Sequence, residues 1–75
     1  MSATAEEITS MVALHLGRAT VSPDDHLVED LGCESADIVN IIAAIEERYS
    51  LELDDDDLLD VSTVGDLVAL VRSRG

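Results

Sequence analysis

The alternation of apolar and polar positions along the chain follows the helical period in three long stretches. In the first, Ile8, Met11, Val12 and His15 fall at i, i+3, i+4 and i+7, one stripe of a helix. Thr4 and Glu7 have the spacing of a capping box, in which side chains satisfy the free amides of a helix start. Gly17 suits the left-handed conformation that ends helices. Together these predict a helix over residues 5–16. In the second stretch, Ile38, Ile41, Ile42, Ile45 and Tyr49 share one face. Ala36, Asp37, Asn40, Ala43, Ala44 and Glu47 occupy the other, which predicts an amphipathic helix over residues 35–49. In the third, Val64, Leu67, Val68 and Val71 form a stripe that follows Thr63, which has capping-box spacing with Asp66. Arg72 and Arg74 fall in its last turn, where cations favour the negative end of the helix dipole.

The remaining segments read as connections. Leu51 and Leu53 predict a short extended link, and the aspartates from Asp54 to Asp57 can cap a short helix near residues 56–60. Residues 17–34 read as a loop. Ser22-Pro23-Asp24-Asp25 is turn chemistry, and Leu27, Val28 and Leu31 are expected to pin the loop onto the core. A loop of that length in a compact domain points to function. No strand alternation of useful length and no internal repeat is visible. The expectation is an all-α domain over residues 1–75: a small four-helix bundle with three main helices, a short third helix, and a long loop between helices one and two.

Composition narrows the partners. The chain has 17 acidic residues and four basic ones, for a net charge of −13. All four basic residues are Arg (Arg18, Arg48, Arg72 and Arg74). This balance argues against nucleic acid or anionic membrane as a partner and favours partners with basic docking patches. The acidity is equally suited to plain solubility. Tyr49 is the one aromatic residue, so Leu, Ile, Val, Ala and Met must build a core able to shift around a slender guest. One cysteine, Cys33, excludes an intramolecular disulfide and fits a cytoplasmic location. The segment MSATAEEITS lacks signal-peptide features, and no stretch approaches the length of a membrane span. With no lysine, and with His15 expected in the packed stripe, no catalytic dyad or triad forms around Cys33 or any other nucleophile. The run Asp54–Asp57 lacks the alternating ligands and central glycine of a calcium loop, so no defined metal site is expected.

The chemistry concentrates in Asp30-Leu31-Gly32-Cys33-Glu34-Ser35-Ala36-Asp37. Ser35 stands where loop becomes helix. Serine is a preferred helix cap, and position alone favours that role. The same place suits a phosphate ester, because the positive end of a helix stabilises an anion.

The string Asp30-Leu31-Gly32-x-x-Ser35 resembles the signature of acyl carrier proteins, the phosphopantetheine-binding carrier family. The resemblance runs on through Glu46-Glu47-Arg48-Tyr49, Leu51-Glu52-Leu53 and Ser62-Thr63-Val64-Gly65-Asp66, in order and without gaps. It implies a discrete type II carrier. Ser35 would carry a 4′-phosphopantetheine arm, attached from coenzyme A and Mg²⁺ by a phosphopantetheinyl transferase. The arm's thiol would hold acyl groups as thioesters for acyl-activating, acyltransferase or ketosynthase-type enzymes of fatty acid, lipid or polyketide-type biosynthesis. The carrier itself would be a monomer and not a catalyst. The resemblance further implies partner docking through Glu34, Ala36, Asp37, Asn40, Glu46 and Glu47. It implies an acyl pocket lined by Ile38, Ile42, Ile45, Leu51, Leu58, Val64 and Leu67. Glu34 and Ala36 depart from the family's usual Asp and Leu on either side of the serine, and Asn40 and Ala43 depart further along the helix. These departures fit a specialised carrier with its own enzyme set. An aminoacyl or peptidyl carrier, or an acidic interaction module in which Ser35 only caps the helix, are the alternatives.

Overall fold

A computed structural model describes residues 4–74; the ends of the expected 1–75 domain, residues 1–3 and 75, lie outside the described residues. Four helices occur in the order α1 (Ala5–Leu16), α2 (Ser35–Tyr49), α3 (Asp55–Leu58) and α4 (Val64–Arg74). No strand is present among the described residues, and the fold is the all-α four-helix bundle that the apolar pattern predicts. The first two helices begin and end where the periodicity puts them. The short third helix starts one residue earlier than expected and ends two earlier, because Asp54 takes the cap position and its amide donates to Asp57 at 3.1 Å.

Local chemistry accounts for each helix end. The Glu7 amide donates to the Thr4 hydroxyl at 3.1 Å, and Gly17 closes α1 with φ +67°. At α4 the capping box is complete: the Asp66 amide donates to Thr63 Oγ1, and the Thr63 amide donates to Asp66 Oδ2, both at 3.0 Å. The Ser62 amide donates to the same carboxylate at 3.1 Å. These backbone donors hold the Asp66 carboxyl below the usual carboxylate range.

α1 packs against both α2 and α4. Their shared core contains Ile8 and Val12 from α1, Ile41, Ile42 and Ile45 from α2, and Val64, Leu67, Val68 and Val71 from α4. Two sequence expectations need correction here. His15 is exposed, because the buried stripe of α1 rotates toward Ala13, with Leu16 partly buried in the last turn. An imidazole at the edge of that stripe stays in water and complements the helix's negative end. Val28 is 60 % exposed, whereas its neighbours Leu27 and Leu31 are buried and do pin the loop. The Leu31 amide donates to His26 O, a helix-like turn that sends Leu27 and Leu31 inward and Val28 outward.

The long loop is latched to the start of α4. The Leu27 amide donates to Ser62 O at 2.9 Å, the Val64 amide to Asp25 O at 3.0 Å, and the Gly65 amide to Pro23 O at 2.9 Å. A Cβ on Gly65 would stand 3.1 Å from that Pro23 oxygen, so glycine permits the close approach. The latch fixes the path of the loop toward Gly32 and the start of α2.

Candidate functional site

Gly32 adopts φ +68° and turns the chain into α2. Cys33 then points inward and is 5 % exposed, and its amide donates to Leu27 O at 2.9 Å. Burial pushes the Cys33 thiol up, and the nearby Asp37 charge adds to the shift against a smaller opposing effect of Arg18. A buried thiol with a raised pKa is a poor nucleophile, so Cys33 anchors the loop and does not supply reactive sulfur. The residues after it face out: Glu34, Ser35 and Ala36 are all exposed.

Glu34, not Ser35, occupies the cap position of α2, with extended φ −97° and ψ 170°. Asp37 accepts from the Glu34 amide at 2.9 Å. Ser35 is the first residue of the helix proper, and its hydroxyl has no hydrogen-bond role among the described residues. The capping function that position alone would assign to it is therefore carried by its neighbours. The first intrahelical bond of α2 runs from the Ile38 amide to Glu34 O. The amides before it lie at the positive end of a 15-residue helix, a favourable place for an anion.

Residues 6–71 match the protein family described as "Phosphopantetheine attachment site". The chain belongs to that family of carrier proteins. It is 35 % identical over 71 residues to an acyl carrier protein of Nitratidesulfovibrio vulgaris, covering 92 % of this chain and 93 % of that one. It is 35 % identical over 71 residues to an acyl carrier protein of Helicobacter pylori, covering 92 % and 91 %. Its structure is similar to that of BlmI, a type-II acyl carrier protein from Streptomyces verticillus involved in bleomycin biosynthesis. That match has a TM-score of 0.81 at 29 % identity, covering 92 % of this chain and 82 % of that one. The carrier's prosthetic group is accordingly 4′-phosphopantetheine. An exposed serine hydroxyl at a helix start, with no structural bond to lose, fits that group.

The carrier's α2 presents Ala36, Asn40, Ala43 and Glu47 to solvent, with Asp37 half-buried at the first turn. Val39, 64 % exposed, stands among them. Its place off the isoleucine stripe is the one sequence signal of that exposure. Glu46 behaves differently from its acidic neighbours. It is half-buried, and its carboxylate accepts from the Leu53 amide at 2.9 Å. Leu53 is buried, so Glu46 braces the link from α2 to α3.

Beside α2 lies a narrow apolar cleft of about 50 Å³ lined by Leu27, Ile38, Ile41, Ile42, Leu58, Val61 and Leu67. Four of the expected pocket residues line it: Ile38, Ile42, Leu58 and Leu67. Ile45 and Val64 are instead fully buried in the core, and Leu51 packs against that core outside the cleft. Leu27, Ile41 and Val61 complete the lining. Ile41 belonged to the readable stripe, but Val61 follows α3 in a connection whose path no periodicity reveals.

Among the described residues, no group of His, Cys, Asp and Glu side chains is arranged to hold a metal ion. No described helix is long and apolar enough to cross a membrane.

Proposed function

We propose that this protein carries acyl intermediates on a 4′-phosphopantetheine arm esterified to Ser35. The observation that carries the proposal is the division of labour at the start of α2. Glu34 holds the cap position, Asp37 satisfies the Glu34 amide, and Cys33 anchors the approach, which leaves the Ser35 hydroxyl exposed and uncommitted. When attached, the group supplies a terminal thiol that holds cargo as a thioester. The chain itself provides the ester oxygen at Ser35, helix-end donors for the phosphate, and a surface for partners. It presents cargo and does not catalyse. Tethering raises the effective concentration of that cargo at each enzyme.

The docking surface in this reading comprises Glu34, Ala36, Asp37, Val39, Asn40 and Glu47. Its acids steer enzymes with basic patches, including the phosphopantetheinyl transferase, and such contacts set encounter rate more than affinity. Glu46 is left out because its carboxylate is engaged with Leu53. Asn40 and Ala36 make the face less charged and flatter than the family pattern, which supports a specialised carrier working with a dedicated enzyme set in the cytoplasm. The acyl end of the cargo enters the cleft beside Ile38 and Ile42.

Incubation with coenzyme A, Mg²⁺ and a promiscuous phosphopantetheinyl transferase tests the reading. Intact mass should rise by one phosphopantetheine in the wild type and stay unchanged in Ser35→Ala. No gain with several transferases would favour an acidic interaction module instead.

A further inference from the structure

The end of α1 brings one cation to the border of the surface that presents Ser35. α1 and α2 pack together, and Glu7 near the start of one pairs with Arg48 near the end of the other at 3.2 Å, so the two helices run antiparallel. Arg18 lies as many residues after Glu7 as Asp37 lies before Arg48. Gly17 ends α1, but the Arg18 amide donates to Ala13 O at 2.9 Å, which keeps Arg18 folded against the last turn. Arg18 therefore stands level with Asp37, in the first turn of α2 where Ser35 sits. The Cys33 thiol is a second marker of the same place. Burial raises its pKa most, Asp37 adds to the rise and Arg18 opposes it, so both charges lie near that sulfur.

The other arginines are engaged or remote. Arg48 is paired with Glu7, and Arg74 with Asp57 of α3. Arg72 stands with Arg74 in the last turn of α4, the end that the Asp57 pair holds at α3. Arg18 is exposed and makes no side-chain ion pair among the described residues. A free cation beside Glu34 and Asp37 changes what the face accepts. The acids attract a basic patch, whereas the guanidinium repels it at one edge and suits a carboxylate there. We propose that Arg18 is a specificity-determining residue of the docking surface: it selects partners whose basic patch is bordered by an acidic residue and disfavours partners whose patch is basic throughout. The inference rests on the Ser35 arm reading and deepens it by naming the charge pattern of the partner. Two unit charges about 8 Å apart in water change a rate or binding constant about twofold, which is the size of effect one surface arginine exerts.

The test is esterification of Ser35 by a transferase with a uniformly basic docking face, using coenzyme A and Mg²⁺ at low salt and following intact mass. kcat/KM should rise about twofold in Arg18→Gln and about fivefold in Arg18→Glu, with Arg18→Lys matching the wild type. The gains should vanish in about 1 M salt, where charges are screened within about 3 Å. Arg72→Gln removes the same charge from the far end of α4 and should leave the rate nearly unchanged. Unchanged or slower modification of Arg18→Gln would overturn the proposal. An equal gain in Arg72→Gln would do the same, because net charge alone would then explain it. Each basic residue of the transferase's docking face is also changed to Glu in turn. One position should speed the wild-type carrier and slow Arg18→Glu, and the absence of any such position would overturn the selection for a carboxylate. Melting temperatures check that the variants fold, and Arg18→Gln decides the matter even if Arg18→Glu does not. Failure of every form, wild type included, to gain an arm would instead overturn the Ser35 reading, so the two failures are distinct.

Discussion

Glu46 separates two accounts of an acidic side chain on α2, and its replacement tells them apart. A docking acid acts by charge at the surface and leaves stability nearly unchanged when removed. A brace acts through the Leu53 amide, which its carboxylate accepts at 2.9 Å. Leu53 is 8 % exposed, and in Glu46→Ala its amide would be left without that acceptor. Hydrogen bonds to charged groups contribute about 1.5–3 kcal/mol, and the half-buried position of Glu46 points to the lower end. A domain of this length has a total stability of about 4–11 kcal/mol, so a loss near 1.5 kcal/mol is readily measured. It corresponds to a fall in melting temperature of about 6–12 °C. Glu46→Gln keeps an oxygen acceptor without the charge and should lose less than about 1 kcal/mol. Thermal and urea unfolding followed by circular dichroism give both values. Transferase kinetics on the same proteins give the docking readout. If both variants melt like the wild type while both slow the transferase equally, Glu46 is a docking acid and the brace is wrong.

Three further outcomes follow from the same contacts. Ser50 ends α2 in the left-handed region at φ +53°, a conformation that costs a side-chain-bearing residue about 1–2 kcal/mol. Ser50→Gly should therefore stabilise the fold by about 1 kcal/mol, seen as a higher urea midpoint at unchanged slope. The Asp66 carboxyl is held low by the Thr63 and Ser62 amides, so its contribution is present above the ordinary carboxylate pKa and is lost as pH falls through its lowered value. The stability gap between wild type and Asp66→Asn should accordingly be widest near neutrality and narrow on acidification; a constant gap would contradict the assignment. Restoring the family pattern on the outer face with Ala36→Leu and Asn40→Glu should raise turnover by general fatty-acid enzymes, and unchanged elongation rates would count against a specialised docking face.

The long helices were legible because their apolar residues repeat at the helical period and their ends carry recognisable caps. α4 is the clearest case: Val64, Leu67, Val68 and Val71 were readable as a stripe, and these four are its buried residues. Periodicity misled at His15, since a stripe read from spacing alone does not reveal how far a helix rotates against its partners. The loop was legible as a loop, but Val28 and Leu27 are adjacent apolar residues that the backbone sends in opposite directions. The backbone bonds of this turn, among them the Leu31 amide to His26 O and the Leu27 amide to Ser62 O, separate them. The serine could be located from its motif, while its freedom from capping could not. That freedom depends on Glu34 taking the cap position and Asp37 closing the turn, a choice made by backbone geometry. Likewise Glu46 and Glu47 are indistinguishable as letters, and the three-dimensional path of Leu53 gives them different roles.

The central claim is that Ser35 bears the arm, and Cys33 lies two residues away with a thiol of its own. The most direct measurement is fragment-ion mass spectrometry of the modified protein after thiol alkylation, resolving the segment from Leu31 to Ile38. The account predicts the phosphopantetheine mass on Ser35, with Cys33 found unmodified by the arm. A modification mapped to Cys33, or an arm still gained by Ser35→Ala, would contradict it.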